Sequence, residues 1–129
     1  MSLTGFYAAF FGALFVMLSV RVVWLRTRLR ISLGSGGNPV LERAQRIHAN
    51  FAEYVPFTLL LIFFFEGTTQ LRGWTHAFCI VLLVARMLHA CGLTRESSLF
   101  RTAGMALTLA VIVAASIGLL VFHVHFMAT

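Results

Sequence analysis

The chain has 129 residues, is 60% hydrophobic and only 11% charged, and has a mean hydropathy of +0.92, whereas soluble domains carry about 25% charged residues. That much apolar surface excludes an ordinary soluble fold, and the length leaves room for one domain. The formal charge of +6 comes without a stacking platform or a soluble basic face, so nucleic acid is not an expected partner.

The first apolar stretch covers 3–25 and leaves through Arg21, Arg26, Arg28 and Arg30, with Trp24 where interfacial aromatics sit. It lacks a basic segment ahead of it and runs straight to Arg21, so it reads as a span and not as a cleavable signal. The loop Gly34-Ser35-Gly36-Gly37-Asn38-Pro39 follows, with Asn38 suited to an N-cap and Pro39 to the first helical turn.

A second span covers 39–66. It is polar through Glu42, Arg43, Arg46, His48, Asn50 and Glu53, then apolar from Pro56 to Phe65, and ends near Glu66-Gly67. The third covers 74–92, interrupted by Arg86 and His89. A loop with Arg95 and Glu96 leads to the fourth, 99–126. A membrane helix needs about 20 apolar residues, and four of them nearly exhaust the chain. The expected fold is an all-α, four-helix transmembrane bundle formed by one domain, 1–129.

Loops one and three hold nearly all the loop arginines, the middle loop only Arg72 and the termini none. The positive-inside rule then places the rich loops in the cytoplasm and both termini outside it. Cys79 and Cys91 have no metal-ligand spacing and read as buried free thiols. No metal or other cofactor is implied.

Charge inside a span is costly and by default marks function. Glu42, Arg46, Asn50 and Glu53 share one face of the second helix, bordered by Tyr54, and are expected to point into the bundle. Arg86 and His89, three apart, share a face of the third. Arg101 and Thr102 open the fourth, and Arg26 closes the first. His48 points away from the stripe, toward a neighbouring helix or subunit, while His76, His123 and His125 read as interfacial. An ion pair such as Glu42 with Arg46 would only staple the bundle. The excess of guanidinium over carboxylate instead asks for an anionic ligand.

The stretch from Glu42 to Phe57, with the pattern E-R-x-x-R-x-x-x-N-x-x-E-x-x-P, resembles the signature of the MAPEG family, membrane-associated proteins in eicosanoid and glutathione metabolism. The likeness runs over nearly the whole chain and is greatest to the short bacterial branch. It implies a homotrimer with glutathione bound between neighbouring subunits, near the cytoplasmic side. Position by position, it assigns Arg46, Asn50, Glu53, Arg26 and Tyr54 to holding glutathione, puts His48 and His89 at polar contact positions, and includes the region of Arg86. Arg101 aligns, with a one-residue shift in the loop before it, with the arginine that stabilises the thiolate, and Thr102 stands beside it.

The chain departs from that pattern at Ala49, where some members have an arginine, and at Leu93 and roughly Met105, where some have tyrosines. The function this resemblance implies is a glutathione S-transferase, or a peroxidase, acting on hydrophobic electrophiles or lipid hydroperoxides arriving from the bilayer. A trimeric, non-enzymatic scaffold or lipid-binding protein is the alternative. A transporter is disfavoured, because broken helices and paired repeats are missing from the pattern.

Overall fold

The computed structural model describes residues 2–127. It consists of α1 (Leu3–Leu29), α2 (Pro39–Thr69), α3 (Arg72–Thr94) and α4 (Ser98–Met127). All four are long and apolar enough to cross a membrane. Each extends past the apolar stretch that predicts it, because helix persists through the headgroup region. The 27 residues of α1 span about 40 Å at 1.5 Å per residue, against a hydrocarbon core of about 30 Å. Arg26 and Arg28 fall in its last turn, where cations favour the helix dipole.

The helix ends are closed by local chemistry. Asn38 Oδ1 accepts from the N–H groups of Val40 and Leu41 at 3.0 and 3.1 Å, with Pro39 next to it in the first turn, as its sequence position suggests. Arg30 closes α1 with a left-handed backbone at φ 55°, its N–H bonded to the carbonyls of Arg26 and Thr27. Only Gln70 and Leu71 separate α2 from α3, and only residues 95–97 separate α3 from α4, and such short links force neighbouring helices to run antiparallel.

Helices α2 and α3 form the middle of the molecule. Helix α1 packs on α2 and, less extensively, on α3, while α4 packs on α3 and α2, and α1 and α4 do not meet. The main core gathers Phe11, Phe51, Val55, Ile62, Phe65, Phe78, Leu82 and Val111, and a smaller cluster of Leu25, Leu41 and Ala44 lies near the arginine-rich end. Two glycines set the α3–α4 distance. A Cβ on Gly92 would lie 2.4 Å from the Arg101 nitrogen, and one on Gly104 would lie 2.6 Å from the Ala85 oxygen. Small residues permit such close backbone approach between membrane helices, where packing drives association.

Polar clasps tie the elements together at both ends of the bundle. At the end away from the arginine loops, Glu66 of α2 is buried at 9% exposure and takes the free N–H groups of the first turn of α1. It accepts from Leu3 N at 2.5 Å, Thr4 N at 2.8 Å and Ser2 Oγ at 2.9 Å. Near the same end, Tyr7 Oη and His76 Nδ1 are 3.0 Å apart. At the arginine end Arg43 pairs with Glu96, joining the start of α2 to the third loop. Glu42 and Arg46 do not pair, so the alternative in which they merely staple the bundle is not what the structure shows, and Arg43–Glu96 is the one salt bridge among the described residues. Cys79 is buried as expected, but Cys91 is exposed: it lies on the outer side of α3, away from the neighbouring helices.

Candidate functional site

The polar stripe of α2 does not point into the bundle. Glu42, Arg46 and Glu53 are exposed and Asn50 is half-buried, because the stripe lies on the side of α2 that α3 and α4 leave uncovered. There it forms one wall of an open cleft of about 500 Å³, lined by Pro39, Glu42, Arg43, Arg46, Asn50, His89, Leu93 and Arg101. Small-molecule sites commonly run from about 300 to 1,000 Å³.

Three helices supply this lining: α2 the stripe, α3 His89 and Leu93, and α4 Arg101 on its first turn. Neither Arg46 nor Arg101 gives its guanidinium to an acceptor among the described residues. Arg101 is placed by its backbone. Its N–H bonds Ser97 O at 3.2 Å, and its carbonyl accepts from His89 Nδ1 at 3.2 Å. A carbonyl can only accept, so that imidazole carries its proton on Nδ1 and has Nε2 free as an acceptor. The position of His89, at 6% exposure, is therefore tied to the first turn of α4.

Arg86 lies behind the cleft, at 5% exposure. Its Nη1 donates to Asn50 Oδ1 at 2.9 Å, and Nη2 donates to Thr108 Oγ1 at 2.6 Å and Gly104 O at 3.4 Å. The guanidinium carbon stands 5.9 Å from the centre of the Tyr54 ring. It thus links α2, α3 and α4 from within. Because Asn50 spends its oxygen on Arg86, the amide NH2 is the group it has left for the cleft.

The remaining predicted residues are not gathered there. Arg26 is half-buried in a separate hollow at the end of α1 and donates to Ser32 O at 2.9 Å, so within the chain three helices, not four, bring their polar groups together. His48 faces α1: its ring stacks on Phe15 at 5.0 Å, and its Nε2 is 2.9 Å from Ser19 Oγ. Ser19 already donates its hydroxyl proton to Phe15 O, so His48 Nε2 is the donor of that pair. Glu53 is exposed outside the lining, and Thr102 is exposed beside it.

Sequence reasoning missed Arg43 as a lining residue, although it lies one turn from Arg46, and it singled out Leu93 only as a departure from the family pattern. It also missed Glu66, whose signal is a lone carboxylate closing an apolar run at the end away from the other glutamates.

The MAPEG family model matches residues 4–121. The chain belongs to the MAPEG family. It is 34% identical over 105 residues to inner membrane protein YecN of Escherichia coli strain K12, covering 81% of this chain and 80% of that relative. The same figures hold for inner membrane protein YecN of Escherichia coli O6:H1 strain CFT073. This MAPEG protein is therefore a membrane protein of the family named for eicosanoid and glutathione metabolism. Its signature residues Arg46 and Asn50 stand in the cleft, and the signature's Glu53 lies just outside it.

Proposed function

We propose that this MAPEG protein is a membrane-bound glutathione transferase of the inner membrane, with the arginine-rich end toward the cytoplasm and both termini outside it. The observation that carries the reading is the cleft in which the Arg46 and Arg101 guanidiniums have no partner among the described residues. Glutathione presents two carboxylates, an ammonium and a thiol. The cleft offers two free guanidiniums for the anionic groups, the exposed Glu42 carboxylate for the ammonium, and the Asn50 amide as a further donor.

Planar guanidiniums grip carboxylates with paired hydrogen bonds. A guanidinium beside sulfur favours the thiolate, and each unit by which the thiol pKa falls below about 8.5 takes about 1.4 kcal/mol of preferential stabilisation. Arg101, on the first turn of α4 with the positive end of that helix dipole behind it, is the residue for this role, and Thr102 adds a hydroxyl beside it. The thiolate sulfur then attacks an electrophilic carbon of an apolar substrate entering from the bilayer. A carbon–sulfur bond forms as the leaving group departs or as a conjugated double bond takes up the electron pair. With a lipid hydroperoxide as the acceptor, the same thiolate supports reduction.

The separation of Arg26 and His48 from the cleft supports a site shared between subunits of a homotrimer. Both lie on the α1 side of the molecule, so contact between that side of one subunit and the cleft of the next would unite the two sets. A non-enzymatic trimeric scaffold is favoured by one observation, that Arg86 directs Nη1 and Nη2 to acceptors inside the subunit.

Calorimetry with detergent-purified protein, combined with the ultraviolet absorbance of the thiolate near neutral pH, tests the reading. Glutathione is expected to bind with a thiolate signal that Arg101→Ala removes while the assembly persists. Absence of binding at millimolar glutathione would sink the transferase reading, and an Arg101→Ala effect on assembly alone would favour the scaffold.

A further inference from the structure

The outer side of α1 carries cationic groups that the cleft does not use. Met17, Arg21, Trp24 and Arg28 fall within roughly 60 degrees of helix rotation, and all four are exposed. Arg28 places its guanidinium carbon 5.1 Å from the Trp24 ring centre. It reaches back toward the N-terminus, the direction helical side chains lean, and so toward Arg21, which lies seven residues or about 10 Å deeper. Neither arginine meets a carboxylate among the described residues.

The supply of carboxylates limits what can neutralise this stripe. The chain has ten arginines, no lysine and four glutamates. Glu96 is held by Arg43, and Glu66 by the first turn of α1 at the opposite end. Glu42 and Glu53 lie on the cleft side of α2. A second copy of the chain therefore has only those two glutamates to offer, and using Glu42 here would strip the cleft of its one acidic lining residue. At this depth the anion in abundance is the phosphodiester of a membrane lipid, and arginine and tryptophan at a helix end are the side chains that meet it.

We propose that Arg21, Trp24 and Arg28 form a headgroup site for an anionic phospholipid of the arginine-side leaflet. The phosphodiester lies between the two guanidiniums, and the glycerol and first acyl methylenes lie along Trp24 and Met17. Neighbouring Arg30, exposed at the helix end, raises the local positive potential. The site stands apart from the cleft and does not depend on the glutathione reading.

The test uses the two tryptophans of the chain. Trp74→Phe leaves Trp24 as the one fluorophore, and the protein is reconstituted in vesicles with phosphatidylglycerol or phosphatidylcholine brominated near the carboxyl end of the acyl chains. Brominated phosphatidylglycerol is expected to quench Trp24 at about tenfold lower mole fraction than brominated phosphatidylcholine. Unlabelled phosphatidylglycerol should reverse the quenching, and the double variant Arg21→Gln, Arg28→Gln should abolish the preference with helical content unchanged. Equal quenching by the two lipids, or a preference that survives the double variant, overturns the proposal. So does a Trp24 that neither lipid quenches, since the stripe would then be covered by protein. Should the double variant fail to fold, the comparison of the two lipids on the Trp74→Phe protein still decides.

Discussion

Replacing Glu66 tests whether one carboxylate of α2 holds the start of α1. In Glu66→Ala, the N–H groups of Leu3 and Thr4 and the hydroxyl of Ser2 lose the acceptor they share. A buried donor left unpaired costs about 1–3 kcal/mol, and a carboxylate at a helix N-terminus contributes about 0.3–1 kcal/mol, rising to about 2 when partly buried. A hollow of about 260 Å³ beside Glu66 lets water replace part of what is lost, which places the expected destabilisation of Glu66→Ala near 3 kcal/mol. Glu66→Gln keeps an acceptor but loses the charge, and is expected to cost about 1 kcal/mol. Thermal unfolding in detergent should rank wild type, Gln and Ala in that order. Amide exchange at Leu3 and Thr4 should accelerate at least about tenfold in the Ala variant, while the middle of α3 keeps its protection. Two variants within about 0.5 kcal/mol of wild type, with exchange at the first turn unchanged, would refute the argument that the clasp bears stability.

Three further outcomes follow from the packing. Gly104→Ala inserts a methyl group 2.6 Å from the Ala85 oxygen and the His89 nitrogen, so α4 must move off α3, at a cost of about 1–3 kcal/mol. Glutathione affinity should fall with it, because His89 and Arg101 sit across that contact; unchanged stability and binding would contradict the close fit. A double-mutant cycle on Asn50→Leu and Arg86→Leu should return a coupling of at least about 1 kcal/mol, and zero coupling would mean that the 2.9 Å contact contributes nothing. Maleimide should label Cys91 and spare Cys79 in the folded protein, and only from the arginine-loop side when the reagent cannot cross the bilayer; labelling of Cys79 at a similar rate would indicate a loosened core.

Much of the architecture could be read in the chain because membrane helices announce themselves locally. Hydrophobic runs gave the four spans, and Asn38-Pro39 gave the start of α2 to the residue. Helical angles put Glu42, Arg46 and Asn50 on one face, but an angle relates residues of one helix only to each other. Whether that face meets a helix or an opening depends on where α3 and α4 pack, and this turns on Gly92 and Gly104, whose role appears only when two backbones are placed together. For the same reason Cys91 could not be told from a buried thiol. Contacts far apart in sequence were hidden as well. Nothing near Glu66 marks a partner 62 residues away, and nothing near Ser19 points to His48.

The Glu66 clasp also bears on how the chain is built. Helix α1 emerges first, with the donors of its opening turn unsatisfied, and the carboxylate that takes them lies at the far end of α2. Since α1 gains nothing from α4, the α1–α2 hairpin is the smallest piece in which the start of α1 is tied down. Insertion is therefore expected to secure the first helix only after residue 66 has crossed the membrane, making the hairpin the first stage of biogenesis and the addition of α3 and α4, which completes the cleft, the second.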